Sequence, residues 1–163
     1  MDAKVDKTLE ITTPSDLEIV MTRMFDAPRH LVFDAMTTPE HVRHWLGCVE
    51  MPMTVCEIDL RVGGAYRFVL RSPEGRETTL QGIYQEVMRP ERVVFVEQIL
   101  MPGFTSPEYQ VTSAFAEIAG GTRLTTTILH QSKENRDGHL NSGIERGVTP
   151  AYDRLAEVVA GMG

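Results

Sequence analysis

The sequence is poor in cysteine and has no long apolar run. Its 163 residues include only Cys48 and Cys56, too few for a disulfide framework and not spaced as Cys-x-x-Cys. We expect both to be reduced thiols, with Cys56 buried as a small hydrophobic residue. No segment approaches the roughly 20 consecutive apolar residues that span a bilayer, and residues 1–16 do not resemble a secretory signal. The sequence therefore predicts a cytoplasmic protein without a membrane span.

Positive charge is also scarce. Sixteen Lys and Arg residues stand against twenty-three Asp and Glu residues, a formal net charge of -7, and no segment concentrates the basic ones. Nucleic-acid binding gains affinity from basic side chains that displace counterions from phosphates, so we expect no nucleic-acid partner. The hydrophobic fraction of 42% is typical of a globular protein. A chain of this length can bury a core large enough to contain a cavity.

The first part of the chain predicts one strand followed by two helices. Apolar residues alternate with other residues over 17–25, the period of a strand with one buried face. Asp26-Ala27-Pro28 and Thr38-Pro39-Glu40 each combine a capping residue with a proline, which starts a helix without losing a hydrogen bond. We expect the first helix to run to Met36. The second should begin with the Thr38 hydroxyl as its cap and end at Gly47.

The rest of the chain predicts a sheet and then a helix. The apolar period is two over most of residues 56–128, where turns rich in glycine and proline separate the alternating segments. Short connections favour pairing of successive strands, so we predict a six-stranded antiparallel meander. From Ser132 the apolar spacing returns to three or four, which predicts one long amphipathic helix over the sheet. Pro150 removes the hydrogen bond to the carbonyl of Arg146 and is expected to bend this helix.

These elements predict an α+β fold with the order β-α-α-β6-α, in which a curved antiparallel sheet grips the C-terminal helix. No repeat or linker interrupts the pattern, so we expect one domain over residues 16–163. Residues 1–15 are predicted as a flexible N-terminal tail, with a short edge strand as the alternative. If the sheet curls around the helix, a gap between the two layers would be a typical small-molecule site.

Five segments of the chain carry a family resemblance. They are residues 23–45, 59–68, 82–86, 90–95 and 120–125. Together they resemble the bacterial branch of the START/Bet v 1-like (SRPBCC) superfamily, the Hsp90-ATPase-activator-homologue-like (AHSA1-like) domain. The resemblance implies a helix-grip fold, and superfamily relatives bind lipids, hormones or polyketides in a cavity under the last helix. The family usually carries a Trp-Trp-Gly-Pro run after the second helix, whereas this sequence reads Trp45-Leu46-Gly47-Cys48, which removes one aromatic residue near the expected mouth of the cavity.

The candidate ligand-binding residues follow from the strand pattern and this resemblance. Glu97 continues the alternating column of Val93 and Phe95, so it is expected to point inward and to orient a polar ligand group or act as a base. The alternatives are an ion pair with Arg67 or Arg71 and a strand end that reaches solvent. Aromatic residues at strand spacing either line the cavity or fill the core. The set predicted to bind ligand is Trp45, Tyr66, Phe68, Tyr84, Phe95, Glu97, Ile144 and Val148.

The sequence offers little support for metal or histidine chemistry. His41 and His44 share a face of the second helix and Cys48 follows, but neither an obvious fourth ligand nor a paired cysteine motif completes a zinc site. We predict no metal site and no cofactor. No catalytic histidine is predicted among the three that lie apart in sequence and form no triad-like motif, His30, His130 and His139.

Three hypotheses about function follow, of which the first leads. It is a binding module for a hydrophobic small molecule, planar or lipid-like, and not an enzyme. The second is a protein-interaction role, resembling that of Hsp90 co-chaperones, with a chaperone or regulator as partner and a role in the stress response. The third is a cyclase- or hydrolase-like enzyme in which Glu97 and a tyrosine such as Tyr84 share acid–base work. A homodimer is expected from the general frequency of two-fold assemblies.

Overall fold

The computed structural model describes residues 8–163, which form nine strands and four helices. The α+β architecture, an antiparallel sheet covered by a long C-terminal helix, is confirmed. No helix in the described part of the chain is long and apolar enough to cross a membrane. In chain order the elements are β1 (Glu10–Thr12), β2 (Glu18–Phe25), α1 (Arg29–Thr37), α2 (Pro39–Trp45), β3 (Met53–Ile58), β4 (Ala65–Arg71), β5 (Glu77–Met88), β6 (Arg92–Met101), β7 (Phe104–Thr105), β8 (Tyr109–Ile118), β9 (Gly121–Leu129), α3 (Lys133–Leu140) and α4 (Ile144–Ala160).

All described strands belong to one antiparallel sheet. Its order is β1-β2-β9-β8-β6-β5-β4-β3, and the two-residue strand β7 pairs with β6. The six longer strands after α2 therefore pair in succession, as the short turns predicted. β9 also pairs with β2 over the whole length of β2, so the strand that precedes the helices joins the end of the meander.

The N-terminal segment contains an edge strand. Glu10–Thr12 pairs with residues 20–22 of β2, and the neighbouring side chains of Leu9 and Ile11 pack against the core. These contacts replace the predicted flexible tail over this part of residues 1–15, in agreement with the edge-strand alternative. Residues 1–7 of the predicted tail lie outside the described residues.

The two short helices begin at the predicted prolines. Pro28 is the N-cap of α1, and Pro39 lies in the first turn of α2. Thr38 occupies the N-cap position of α2, but its side chain makes no capping hydrogen bond, contrary to the prediction. Its backbone carbonyl instead accepts the amides of His41 and Val42, each at 3.0 Å.

The C-terminal helical region is divided in two, so the prediction of one helix from Ser132 was wrong. α3 ends at Leu140, and α4 begins at Ile144 after Gly143, whose φ is 92°. This left-handed conformation interrupts the helical hydrogen bonds, and glycine adopts it at little cost. The apolar spacing continues across the break, which is why the sequence pattern did not reveal it. Pro150 lies within α4.

The core consists of two apolar clusters. The larger one joins α1, α2 and the second half of α4 to the inner face of the sheet. The smaller one lies at the other end of the sheet and includes Ile19, Met21 and Ile128, with Ile144 of α4 packed against it. Phe95 and Val148 contact both clusters.

Candidate functional site

A cavity of about 420 Å³ lies between the inner face of the sheet and the helices. Its walls come from β2, β4, β5, β6, β8 and β9, from the ends of α1 and α2, and from the region where α3 gives way to α4. Most of the wall is apolar or aromatic. The volume lies within the range of roughly 300–1,000 Å³ that is common for small-molecule sites.

All eight side chains predicted to bind a ligand line this one cavity. Inward-facing positions of neighbouring strands bring five of them together, while the helices contribute Trp45, Ile144 and Val148. Leu46, where the sequence departs from the family pattern, is also part of the wall. The strand residues are Tyr66, Phe68, Tyr84, Phe95 and Glu97. Their binding of a ligand stays a prediction.

Three of these aromatic side chains form a compact cluster. The ring centroid of Tyr66 lies 5.5 Å from that of Tyr84 and 5.3 Å from that of Phe95, and the Tyr84 and Phe95 centroids are 6.0 Å apart. Edge-to-face and tilted contacts at such distances are favourable for aromatic pairs. The cluster therefore gives this part of the cavity a rigid aromatic wall.

Glu97 belongs to a row of paired residues that crosses four strands. Tyr66 on β4 pairs with Gly82 on β5, Gly82 pairs with Glu97 on β6, and Glu97 pairs with Tyr109 on β8. The Tyr66 hydroxyl donates a hydrogen bond to Oε2 of Glu97. The Tyr109 hydroxyl donates to Oε1 at 2.6 Å. Two tyrosines thus hold the carboxyl group from opposite sides.

Gly82 makes the bond between Tyr66 and Glu97 possible. A Cβ atom at Gly82 would lie 2.7 Å from both the ring and the hydroxyl of Tyr66, and it would also clash with the Val96 carbonyl oxygen. Because glycine has no side chain, Tyr66 can pass over β5 and reach the next strand. A glycine inside a strand often marks such a close approach.

A second polar cluster lies beside Tyr109. Nε2 of His130 and Nδ1 of His139 are 2.9 Å apart, and both rings pack against Tyr109, with centroid distances of 5.0 and 4.9 Å. His130 follows β9, whereas His139 lies on α3 and lines the cavity. Burial lowers the pKa of both imidazoles, that of His139 to about 4.

The comparison with known families settles what kind of chain this is. Residues 26–160 match the family described as "Activator of Hsp90 ATPase homolog 1-like protein". The chain belongs to this AHSA1-like family. The resemblance seen in the sequence is thereby confirmed, although none of the curated proteins matches the chain.

Solved structures of bacterial proteins are similar to this AHSA1-like chain over nearly its whole length. A protein from Rhodobacter sphaeroides is 27% identical, with a TM-score of 0.85, and the match covers 96% of this chain and 100% of that one. A protein from Nitrosomonas europaea is 22% identical, with a TM-score of 0.80 and coverages of 92% and 98%. One from Mycobacterium smegmatis is 22% identical, with a TM-score of 0.82 and coverages of 93% and 96%. These matches support the helix-grip fold.

The surroundings of Glu97 in the AHSA1-like cavity alter its acidity. Burial raises the pKa of its carboxyl group, while the hydrogen bonds from Tyr109 and Tyr66 lower it by a smaller amount. The pKa values of the two tyrosines are raised, first by burial and then by the nearby carboxylate. Both hydroxyls therefore stay protonated at neutral pH and act as donors.

Residues 8–163 do not contain the ion pair considered as one alternative for Glu97. In the described part of the chain, Glu97 forms no ion pair with Arg67 or Arg71. Both arginines are exposed and lie on the opposite face of β4 from Tyr66, because strand side chains alternate. Tyr84, the tyrosine suggested as its acid–base partner, is not one of the two that bond it.

Four residues of the site were not identified from the sequence. They are Gly82, Tyr109, His130 and His139. Gly82 left a signal, since a glycine inside a period-two segment suggests close approach of another group. Tyr109 could have been placed on the inner face had β8 been aligned with β6. The histidine pair left no signal, because it depends on how α3 returns over the end of β9.

Proposed function

We propose that this AHSA1-like protein is a binding module that holds a hydrophobic small molecule between the inner face of its sheet and α4. The observation that carries the proposal is the cavity of about 420 Å³, with its largely apolar and aromatic wall. Burial of apolar ligand surface there would contribute roughly 25 cal/mol per Å². The few polar groups on the wall would set the orientation of the ligand.

The size of the cavity supports a role in binding. Protein interiors are close-packed, and voids larger than a water molecule are few. An empty space also costs stability, because the side chains around it lose contacts. A cavity this large beneath a long helix, open on one side, is therefore better explained as a binding site than as a packing defect.

The chain offers its own reporter for the test. Trp45 is the only tryptophan of the protein and lines the cavity. We expect titration with decanol, an uncharged apolar probe, to change the Trp45 emission in a saturable way. Native mass spectrometry of the protein as purified would identify a molecule that already occupies the site.

A pair of matched variants locates the binding. Val148→Phe places a larger side chain on the cavity wall, and we expect it to abolish the decanol-dependent change in emission while the protein stays folded. Val49→Phe makes the same substitution where the side chain is 94% exposed, and should leave binding as in wild type. Unchanged binding in Val148→Phe would place the ligand elsewhere and refute the proposal.

Several finer expectations stay predictions. They are a chaperone or regulator as partner, a role in the stress response, a homodimeric assembly and a cytoplasmic location. Catalysis by Glu97 also stays a prediction. If the protein has a turnover and Glu97→Gln loses it, catalysis by Glu97 is supported. If the turnover is unchanged in this variant, Glu97 is not a catalytic residue.

A further inference from the structure

The charges on the cavity wall are unbalanced. Among the residues of 8–163 that line it, Glu97 is the one acidic side chain, and none is lysine or arginine. His139 is the one histidine of the wall, and burial lowers its pKa to about 4, so it is neutral near pH 7. A half-buried carboxylate without a cationic partner loses hydration that no ion pair replaces, which is costly. The described part of the chain supplies no such partner from the wall of this cavity.

We propose that the ligand of this cavity is a hydrophobic amine whose ammonium group pairs with Glu97. The inference rests on the proposed function, since it specifies the class of molecule that the same cavity accepts. An ammonium group supplies the missing positive charge, and an apolar remainder suits the rest of the wall. A neutral or acidic ligand of the same shape would leave the ionised carboxylate without a counter-charge.

The hydrogen bonds of Glu97 leave room for such a group. An ionised carboxylate offers about four acceptor sites, and the hydroxyls of Tyr66 and Tyr109 occupy one on each oxygen. The remaining sites are free to accept from an ammonium N–H. Because the two tyrosines hold both oxygens in place, little side-chain freedom is lost on binding.

The aromatic wall favours a cation at the same place. Tyr66 bonds Glu97 directly and belongs to the cluster that includes Tyr84 and Phe95, with centroid distances of 5.3 to 6.0 Å. Aromatic faces attract ammonium groups through the negative charge density of the ring, and the attraction is stronger where water is excluded. A carboxylate bonded by tyrosine hydroxyls beside an aromatic cluster, with no basic residue in the described wall of this cavity, suits the recognition of an amine.

Binding of an amine is expected to depend on pH through Glu97. The pKa of the carboxyl group is raised by burial, whereas pairing with an ammonium group requires the carboxylate. Affinity for an amine should therefore fall as the pH is lowered through this pKa. Glu97 also lines a second pocket, which carries the charged side chains of Glu57, Arg67 and Glu108. The titratable groups that face Glu97 from within the cavity beneath α4 are neutral near pH 7, because burial raises the pKa of each tyrosine and lowers that of the histidine. They are Tyr66 of β4, Tyr84 of β5, Tyr109 of β8, Tyr152 of α4 and, beyond Tyr109, His139 of α3.

Three probes with the same alkyl chain test the proposal. Decylamine, decanol and decanoate share an alkyl chain and carry a positive, a neutral and a negative head group. Isothermal titration calorimetry and the Trp45 emission both measure their binding to the wild-type protein. We expect decylamine to bind at least about tenfold more tightly than decanol, and decanoate to bind most weakly, as electrostatic complementarity requires. Lowering the pH should weaken the binding of decylamine and leave the binding of decanol unchanged.

Glu97→Gln tests the residue itself. Loss of one partner of a buried, hydrogen-bonded charge pair should weaken decylamine binding by at least about thirtyfold and change decanol binding by less than about threefold. Glu74→Gln removes the same charge from an exposed turn and should change neither affinity. The wild-type ranking of the three probes stands as a test even if Glu97→Gln does not fold.

The outcomes separate this inference from the function on which it rests. If the wild-type protein binds decanol as tightly as decylamine or more tightly, the proposal of an amine ligand is overturned, while the apolar binding module stands. Retention of the amine preference in Glu97→Gln would likewise overturn it. If none of the three probes changed the Trp45 emission or released heat, the binding module itself would be wrong.

Discussion

Single side chains at the cavity show how polar groups are kept inside an apolar space. Glu97 is retained because two tyrosine hydroxyls donate to its oxygens, which offsets part of the cost of removing it from water. His130 and His139 bond each other, and Tyr109 packs against both rings. Tyr109 therefore connects the two polar clusters. The replacement of any of these side chains should affect its neighbours as well.

The histidine pair should make the fold sensitive to acid. The pKa of His139 is lowered from 6.5 to about 4, so between these values the unfolded chain binds a proton that the folded protein does not. The free energy of unfolding should thus fall as the pH is lowered from 6.5 to about 4, by at most about 3 kcal/mol from this residue, and then level off.

Urea unfolding at a series of pH values measures this dependence. His139→Gln should make the curve flatter over that interval, whereas His44→Gln, at an exposed histidine of α2, should leave it as in wild type. An equal slope in His139→Gln and wild type would show that another group is responsible.

At the scale of elements, α3 and the break before α4 position one end of the cavity. The side chain of Ser132 caps α3 by accepting the amide of Asn135. Buried Arg136 donates to the carbonyl of Ser15 at 2.6 Å, which ties α3 to the chain before β2. This anchor helps to hold His139 against Tyr109. The left-handed Gly143 then turns the chain into α4.

Two glycines near this break should respond in opposite ways to alanine. Gly143→Ala forces a side chain into a left-handed conformation, where its Cβ would lie 2.8 Å from the Arg146 guanidinium, and should destabilise the protein by about 1–2 kcal/mol. Gly147 lies inside α4 without a positive φ, and a Cβ there meets no atom within 4 Å. Gly147→Ala should stabilise the protein by about 0.5–1 kcal/mol, because alanine loses less backbone freedom. Denaturant midpoints give both values, and a shift of the same sign in the two variants would contradict the assigned helix break.

At the scale of the whole molecule, the sheet and the C-terminal helix are held apart around the cavity. The larger cluster joins them at one end through Leu155 and Val159, and the smaller cluster joins them at the other end through Ile144. Residues of both clusters line the cavity between the sheet and α4. A ligand that fills this space should therefore stabilise the entire fold.

Thermal unfolding tests this linkage. Decanol at about 100 times its dissociation constant should add about 2.7 kcal/mol to the free energy of unfolding. For a chain of this size, the midpoint should rise by about 5 to 10 °C. Val148→Phe should lose the ligand-dependent rise, and a rise of equal size in that variant would mean that decanol binds outside the cavity.

The sequence alone determined the alternation of apolar residues, and with it the strands, their inner faces and the five strand residues that were predicted to bind a ligand and that meet at the cavity, because side-chain direction in a strand is a local property. Tertiary structure decided which groups bond Glu97, since its pairing with Gly82 and Tyr109 depends on the register of β5, β6 and β8. It also brought together the two histidines, which belong to elements that meet only after the chain has folded back. The break between α3 and α4 rests on one backbone angle at Gly143, which apolar spacing cannot reveal.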